Sequence, residues 1–275
     1  NFFEPLQPSF FELTTALALK YFEKASVDIA VIEVGLGGKL DCTNIIHPIL
    51  SVITNIGLDH TALLGNSLAQ IATQKAGIIK RGVPVVIGET TPETKTVFET
   101  EAANVGADIH FAEEETSSVI VEEFFNLCEL QGNYQLPNIR TVLTAVKLFK
   151  SIGLRSDIEL FKLSLHNITK NTGLMGRWQK VGDSPTTIID TGHNEAGWLY
   201  VSQMLAATQA DCKKKGAELR VVFGMVDDKD VDAVMLMLPK DAVYYFTQAQ
   251  THRAIPCETI KAKAERIGLK GKAYP

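Results

Sequence analysis

Two polar side chains follow apolar stretches of the sequence at points where strands are expected to end. Glu33 closes the run 27–33 and His60 closes the run 51–60, and both runs are rich in β-branched residues. Ligands of an open parallel sheet bind just beyond the carboxyl ends of its strands, and neighbouring strand ends lie about 5 Å apart. A carboxylate and an imidazole there suit a divalent metal ion, whereas a lone histidine is more often a structural hydrogen-bonding group. We weigh the ligand interpretation higher, and it predicts an enzyme.

A glycine-rich loop and a nearly uncharged helix adjoin this pair in the sequence. The loop, residues 33–41, lacks the Walker spacing of a phosphate-binding loop, which the chain does not contain elsewhere. Its glycines either let backbone approach a ligand closely or form a tight turn. Lys75 lies in the helix expected over 67–79; base rates favour a surface lysine, but isoleucines at three- and four-residue offsets favour partial burial. A partly buried lysine is open to chemical modification.

Two further polar positions lie in the second half of the chain. Arg177 ends the glycine-containing segment 171–177, which is expected to be a hinge, and it either clamps a phosphate or forms an inter-domain salt bridge. Asp190 follows an apolar strand and opens the loop 190–194 before a helix, where nucleotides tend to bind. A helix cap by Asp190 or Asn194 is the structural alternative, and the two roles are compatible.

The elements that must position these residues alternate between strand and helix. This alternation predicts a parallel α/β architecture in two parts. Residues between 106 and 133 give no clear pattern, and the acidic run there is read as a hairpin or an excursion. The expected helices are 9–25, 67–79, 92–105, 137–151, 195–208 and 229–238, and the expected strands are 27–33, 51–60, 84–88, 186–190, 219–224 and 242–246.

Composition narrows the class of protein. The chain has 275 residues, 45% of them hydrophobic, and a formal net charge of −5, which argues against a general nucleic-acid binder. No apolar run is long enough to span a membrane, and the four scattered cysteines predict neither a disulfide framework nor a zinc site. We expect a cytoplasmic protein without nucleic-acid or membrane partners. The start lacks an initiator Met and a signal peptide, so we expect the chain to begin partway through a longer protein.

Taken together, six motifs resemble the folylpolyglutamate synthase/dihydrofolate synthase enzymes of the Mur ligase superfamily. They follow the family's order across essentially the whole chain, at residues 33–44, 57–61, 74–80, 176–179, 190–194 and 224–230. The resemblance implies an incomplete Mur-ligase-type central domain with a parallel sheet over residues 1–172. A smaller, truncated, Rossmann-like α/β domain, the glutamate-ligase domain, is expected over residues 173–275.

The activity implied by the resemblance is ATP-dependent amide ligation. L-Glutamate is added to dihydropteroate, to tetrahydrofolate polyglutamates, or to both, through an acyl phosphate, by a monomeric enzyme. The resemblance assigns one Mg²⁺ ion to Glu33 and a second to His60, and it matches Lys75 to a lysine that is carbamylated beside the second metal. A histidine ligand is unusual for so hard a cation. The matched ATP-side residues are Asn138, Arg177, Asp190 and His193, and the matched folate-side residues are Phe11, Asp41 and Cys42.

Departures from the family pattern leave alternatives open. The family's phosphate-binding loop is expected before residue 1 and its last strands after residue 275, so we expect a fragment without turnover of its own. Residues 190–194 read Asp-Thr-Gly-His-Asn, where Asp-Gly-Ala-His-Asn is commoner in the family. A peptidoglycan-precursor ligase of the same superfamily is the second hypothesis, and a non-catalytic nucleotide-binding module is the third.

Overall fold

The computed structural model of the protein describes residues 6–193, 195–227 and 230–275. The chain forms two compact units along its sequence. The first comprises Asn1–Val121 and Pro137–Asp157, and the second comprises Glu122–Leu136 and Ile158–Pro275. The boundary predicted after residue 172 lies within the second unit. It stays a prediction about the domains of the family.

A three-stranded parallel sheet forms the centre of the first unit. Strands β1 (Ser51–Ile53), β2 (Val85–Ile87) and β3 (Ile109–Phe111) pair in that order, with Ser51 opposite Val85 and Val85 opposite Ile109. The helices of this part are α1 (Phe10–Ala25), α2 (Thr61–Leu64), α3 (Leu68–Ala76), α4 (Pro92–Val105) and α5 (Ala112–Glu115), with a short 3-10 helix over Cys42–Ile45. Helices α6 (Ser118–Leu127) and α7 (Gln135–Leu148) each have residues in both units.

Both faces of this sheet are covered, as is usual for parallel strands. On one face, α3 and α4 pack against Val85 and Ile87 through Ala72 and Phe98, all of them fully buried. On the other face, Val86 packs against residues from α5 and α7. The expected α/β architecture is therefore confirmed for this unit, and the strand predicted over residues 84–88 is the central strand of its sheet.

Local sequence explains where the predicted helices begin. Helix α1 starts after Ser9, whose side chain accepts the Glu12 amide hydrogen bond at 3.2 Å while Glu12 Oε2 accepts from the Ser9 amide at 2.7 Å. Ser67 caps α3 in the same way. The helices expected over 9–25, 67–79, 92–105 and 137–151 are confirmed, with bounds that differ by a few residues.

The strand expected over residues 27–33 is a wrong prediction. This segment is irregular, and its apolar side chains are exposed, with Val31 at 92% and Ile29 at 55%. The apolar, β-branched residues of this segment suit a strand, but a strand also requires a hydrogen-bonded neighbour. Within the described residues, β1 pairs only with β2, and no strand pairs with 27–33.

The strand expected over residues 51–60 is confirmed only at its start. It ends at Ile53, so Asp59 and His60 lie well beyond the sheet edge rather than at it. His60 occupies the cap position before α2 with φ of +49°. The left-handed backbone there belongs to a turn, because β-strands require extended dihedral angles.

The second unit combines an antiparallel hairpin with a parallel sheet. Strands β4 (Gln179–Asp183) and β5 (Thr186–Ile189) form the hairpin, and β6 (Arg220–Phe223), β7 (Val243–Thr247) and β8 (Lys270–Tyr274) form the sheet in that order. Three predicted strands are confirmed as β5, β6 and β7, although β5 pairs with the unanticipated β4. The helices are α8 (Ile158–His166), α9 (Ile168–Thr172), α10 (Glu195–Lys214), α11 (Val231–Leu236) and α12 (Cys257–Arg266).

Three helices cover one face of the second sheet. Phe223 and Phe246 point into a core shared with Trp198 of α10, Met235 of α11 and Ile260 of α12. This core belongs entirely to the second unit, so each unit has a hydrophobic core of its own. The four cysteines are unpaired, and no helix among the described residues has the length and apolar character needed to cross a bilayer.

Candidate functional site

Two short segments of the second unit are tied together by one carboxylate. Asp190 follows β5, and its Oδ1 accepts the Gly192 amide hydrogen bond at 2.7 Å. Its Oδ2 accepts from the Trp178 amide at 2.8 Å and from the Tyr134 hydroxyl at 2.6 Å. We call the segments 176–178 and 190–193 the paired loops. Asp190 thus fixes the shape of both of them.

Arg177 and Thr191 form the second tie between the paired loops. The Arg177 guanidinium donates to Thr191 Oγ1, and Thr191 donates to the Gly176 carbonyl through its amide at 3.0 Å and its hydroxyl at 3.1 Å. Gly176 has φ of +71°, and a Cβ there would lie 2.5 Å from Thr191 Cγ2, so only glycine fits. The structure therefore brings together Arg177 and Asp190, which the sequence predicted separately.

The paired loops lead into the longest helix of the described residues. The Gly192 carbonyl accepts a hydrogen bond from Trp198 Nε1 at 3.0 Å, and His193 is exposed with Nδ1 3.1 Å from the Thr191 carbonyl oxygen. Asn194, the alternative cap, lies outside the described residues. The amino end of α10 carries partial positive charge, and exposed Arg177 adds a full one. This arrangement suits an anionic ligand such as a phosphate.

Tyr134 is a residue of this site that the sequence analysis did not single out. Burial and the hydrogen bond to Asp190 raise the pKa of the Tyr134 hydroxyl, so it remains a donor throughout the physiological range. Its ring packs edge-on against Tyr200, with 6.2 Å between ring centroids. No local motif marks the residue, because Tyr134 and Asp190 are far apart in the chain.

A second aspartate organises the glycine-rich loop in the first unit. Asp41 Oδ2 accepts from the Leu36 amide at 2.9 Å, and Oδ1 accepts from the amide of Thr43 at 2.9 Å and from its hydroxyl at 2.5 Å. Partial burial alone would raise the pKa of Asp41, but the hydrogen bonds from Thr43 and Leu36 outweigh it and lower the pKa. The carboxylate closes the loop on itself.

The loop glycines allow close packing against the end of α3. The Lys39 amide donates to the Gln74 carbonyl at 2.8 Å, and a Cβ on Gly38 would lie 2.9 Å from that oxygen. A Cβ on Gly77 would collide with Lys39 Cα. The close approach observed here is between the loop backbone and a helix end, and the approach of a ligand to this loop stays a prediction.

Lys75 lies on the last turn of α3, beside this loop. Its side chain is partly buried, as the apolar neighbours predicted. Within the described residues no acceptor or acidic side chain pairs with its Nζ atom. A partly buried lysine without a partner has an uncompensated charge, which modification would remove.

Phe11 of α1 and Cys42 of the short 3-10 helix both adjoin the glycine-rich loop. The Phe11 ring lies against Gly35, where any Cβ would overlap it, and 44% of the phenylalanine is exposed. Cys42 Sγ donates to Thr15 Oγ1 at 3.3 Å. Phe11, Asp41 and Cys42 therefore gather around one loop, although the sequence places Phe11 far from the other two.

Glu33 and His60 are both exposed side chains of the first unit. Within the described residues, no donor pairs with the Glu33 carboxylate, and His60 Nε2 lies 3.9 Å from Asp59 Oδ1. No group of three or more His, Cys, Asp or Glu side chains in the described part is arranged to hold a metal. The strand ends expected to bring Glu33 and His60 together are not formed, so their assignment to Mg²⁺ ions stays a prediction.

Two remaining predictions concern residues outside these loops. Asn138 is exposed near the start of α7. In the motif at 224–230, residues 228 and 229 lie outside the described residues. Asp230 caps α11 by accepting the Ala233 amide hydrogen bond at 3.0 Å, and the Asp227 amide donates to the Arg253 carbonyl at 2.9 Å. The described part of this motif is therefore structural.

Comparison with known proteins gives consistent matches along the chain. A probable bifunctional folylpolyglutamate synthase/dihydropteroate synthase of Haloferax volcanii is 33% identical over 283 residues, covering 96% of this chain and 32% of that protein. A dihydrofolate synthase/folylpolyglutamate synthase of Buchnera aphidicola subsp. Schizaphis graminum is 33% identical over 266 residues, covering 93% of this chain and 60% of that protein. No family model matches the sequence.

Solved structures agree with these sequence matches. Folylpolyglutamate synthase of Mycobacterium tuberculosis, complexed with ADP and AMPPCP, superposes with a TM-score of 0.79 at 28% identity. The superposition covers 97% of this chain and 63% of that one. The chain thus spans less than two thirds of the length of the relatives it matches.

The parallel sheets, their helical layers and this structural match define an α/β protein of the Mur-ligase type. Within that class, the chain belongs to the folylpolyglutamate synthase/dihydrofolate synthase family.

Proposed function

We propose that the protein works as an ATP-dependent amide ligase that adds L-glutamate to dihydropteroate, to tetrahydrofolate and its polyglutamates, or to both. In this reaction ATP phosphorylates the carboxylate of the acceptor, and the glutamate amine then displaces phosphate from the acyl phosphate. Family membership supports the reaction type. The observation that carries the proposal is the pair of loops, where exposed Arg177 is bonded to the segment that leads into the amino end of α10, the positive end of the helix dipole.

The paired loops are proposed to bind the nucleotide. Arg177 would contact phosphate or ribose oxygens, because its guanidinium is exposed while Thr191 fixes its direction. His193 is exposed beside it and would contribute a second polar group, and Asp190 would shape the loop for both. Asn138 is proposed as a further nucleotide contact. The M. tuberculosis relative was solved with ADP and AMPPCP, which supports a nucleotide ligand.

The glycine-rich loop is proposed to bind the folate side of the acceptor. The half-exposed ring of Phe11 offers an aromatic surface to a pterin, and Cys42 adjoins it through Thr15. Both oxygens of Asp41 already hold the loop closed, so we propose that Asp41 acts on substrate by fixing Leu36 and Thr43.

Glu33 and His60 are proposed as ligands for two Mg²⁺ ions. When bound, Mg²⁺ would neutralise the charge that spreads over the phosphoryl oxygens during transfer. Glu33 offers a carboxylate without a competing partner among the described residues. Lys75 is proposed to become carbamylated, since the carbamate would replace an unpaired cation by an anion beside the second metal.

Carbamylation of Lys75 has a direct test. Protein equilibrated with isotopically labelled bicarbonate is expected to give a carbamate carbonyl signal by NMR, and Lys75→Arg should abolish it. Lys39→Arg is the control, because Lys39 lies next to the same helix end and is exposed. An unchanged signal in Lys75→Arg would contradict the assignment.

Acceptor choice separates the proposal from its alternatives. The assay supplies ATP and the appropriate amino acid with dihydropteroate, tetrahydrofolate or a UDP-sugar peptide, and it measures phosphate release. The assay should use protein in which these residues are combined with the family's phosphate-binding loop, Gly-Lys-Ser/Thr. We expect phosphate release with dihydropteroate or tetrahydrofolate and not with the UDP-sugar peptide. Phosphate release only with the UDP-sugar peptide would favour the peptidoglycan-precursor ligase. Nucleotide binding without any release would favour the non-catalytic module.

The remaining proposals concern the protein as a whole. We propose a monomer in a reducing cytoplasm, in keeping with four unpaired cysteines. We also propose that the family's domain boundary falls after residue 172, where α9 ends and Gly173 adopts a left-handed conformation.

A further inference from the structure

Tyr134 connects the paired loops to the core of the second unit. We propose that Tyr134 is a positioning residue for the nucleotide, acting through Asp190 without touching the ligand. The inference rests on the proposed function, because it concerns the loops assigned to the nucleotide. It adds a residue that neither the family motifs nor the sequence pattern assigned.

The Tyr134 hydroxyl and the Trp178 amide donate to the same oxygen atom of Asp190. Asp190 Oδ2 accepts both the Tyr134 hydroxyl at 2.6 Å and the Trp178 amide at 2.8 Å, while Oδ1 holds the Gly192 amide. Hydrogen bonds to a carboxylate are short and stronger than neutral ones. Without the hydroxyl, the carboxylate would keep only the two loop amides, and both of these would move with it.

Tyr134 is itself held in place by its neighbours. Its ring lies against Gly132, where an added Cβ would be 2.7 Å from Tyr134 Cζ. The Asn133 amide donates to Met204 Sδ at 3.2 Å, and Met204 belongs to the core of the second unit. The hydroxyl is therefore a fixed reference point. The hydrogen bond from Trp198 to Gly192 is a further link from that core to the paired loops, and Trp178 packs against the same core.

Asp190 also links Tyr134 to Arg177. Asp190 fixes the Trp178 amide, and Arg177 lies between Gly176 and Trp178 while donating to Thr191. A shift of Asp190 would therefore change the direction of the guanidinium. Loss of one hydrogen bond to a charged group costs about 1.5 kcal/mol, and when ligand binding has to supply this energy to restore the loop geometry, affinity falls about tenfold.

The experiment compares Tyr134→Phe with a matched control. Tyr244→Phe also removes a hydroxyl that donates at 2.6 Å, but to the Pro239 carbonyl, which lies outside the paired loops, and Tyr244 lies in the core of the same unit. Three quantities are measured for each protein: the unfolding midpoint, the affinity for Mg-ADP, and hydrogen exchange at the amides of Trp178 and Gly192, which donate to Asp190.

The expected result is specific to Tyr134. Tyr134→Phe should weaken Mg-ADP binding about tenfold and speed exchange at both amides by a similar factor, because each loses the fixed carboxylate. Tyr244→Phe should lower the unfolding midpoint without changing either of the other quantities. Wild-type exchange at both amides in Tyr134→Phe would overturn the proposal, as would an equal loss of affinity in Tyr244→Phe.

Failure of the proposed function gives a different result. The binding measurements use protein that carries the family's phosphate-binding loop together with these residues. If that protein in its wild-type form does not bind Mg-ADP, the nucleotide assignment is contradicted, and so is the role of Tyr134 in binding. Faster exchange at Trp178 and Gly192 in Tyr134→Phe would then still establish that Tyr134 holds the loops.

Discussion

Two aspartates, one in each unit, use their carboxylates in the same way. Asp41 holds the amides of Leu36 and Thr43, and Asp190 holds the amides of Trp178 and Gly192. In both cases the carboxylate sets the shape of a loop from within it. The residues proposed to meet ligands directly are instead exposed or partly exposed. In both sites, therefore, an aspartate fixes the loop, and other, more exposed residues are proposed to contact the ligand.

Asp41 leads to a prediction about pH. Its pKa is lowered in the folded protein, so its carboxylate stabilises the fold above the unfolded pKa of about 3.9. That contribution is lost as the pH falls through the folded pKa. We expect Asp41→Asn to be less stable than wild type at neutral pH and to approach it in acid. Urea unfolding at several pH values measures the difference, and a constant difference across the acid range would contradict the assignment.

Glu33 leads to the opposite prediction, because it is exposed and has no partner among the described residues. Glu33→Ala should change the free energy of unfolding by no more than about 0.5 kcal/mol. It should nevertheless abolish turnover in protein that carries the phosphate-binding loop. Denaturant unfolding and phosphate release are measured on the same preparations. An active Glu33→Ala protein would refute the metal assignment.

The sequence anticipated several site residues but not their different roles. Glu33 and Asp41 are both acidic and flank the same glycines, so nothing local separates a free carboxylate from one that holds two amides. The position of Tyr134 was beyond reach for another reason. Its partner Asp190 is distant in sequence, and only the packed core brings the two together.

At the scale of elements, the glycine-rich loop and α3 form one interlocked structure. Lys39 donates to the end of α3, and Asn44 Nδ2 donates to the Gly77 carbonyl at 3.1 Å. The glycines matter because backbone meets backbone, and no side chain fits between. Lys75 lies in the same turn, so its position depends on this contact.

A substitution at Gly77 tests this contact. A Cβ on Gly77 would lie 2.9 Å from the Lys39 amide nitrogen and collide with Cα of that lysine. We expect Gly77→Ala to cost about 1–3 kcal/mol of unfolding free energy, as overpacking does. Gly57→Ala is the matched control, because nothing lies within 4 Å of its added Cβ. Equal stability of the two variants in urea would contradict the packing described.

Elements also show the limit of sequence patterns. Residues 84–88 and 27–33 are similar apolar runs, yet only the first contains a strand, β2, which has neighbours on both sides. A pattern reports which residues suit a strand, whereas pairing depends on distant segments. The unassigned β3 is the converse case, since its partner β2 fixes it as a strand.

At the scale of the molecule, two hydrophobic cores serve two units. Phe98 is fully buried in the first core, and both tryptophans of the chain, Trp178 and Trp198, lie in the second unit. The alternation of strands and helices was enough to predict this α/β organisation. It did not predict the antiparallel pairing of β4 with β5, because hairpin pairing depends on the turn between them.

Separate cores predict separable unfolding. Phe98→Ala should cost the first unit about 3–5 kcal/mol, as loss of a buried aromatic ring does. Tryptophan fluorescence reports only the second unit, while circular dichroism reports both. We expect the dichroism transition to move to lower denaturant with the fluorescence midpoint nearly unchanged. Coincident shifts of both signals would contradict independent cores.

We propose that residues of this chain catalyse amide formation on a folate acceptor through an acyl phosphate. The most direct measurement uses dihydropteroate whose carboxylate oxygens carry a heavy isotope, with protein in which these residues are combined with the family's phosphate-binding loop, Gly-Lys-Ser/Thr. Mass spectrometry of the released phosphate then counts transferred oxygens. One labelled oxygen in each phosphate, dependent on glutamate and ATP, is the predicted result. Phosphate released without label would contradict the acyl-phosphate route, and absence of release with every folate acceptor would contradict the function.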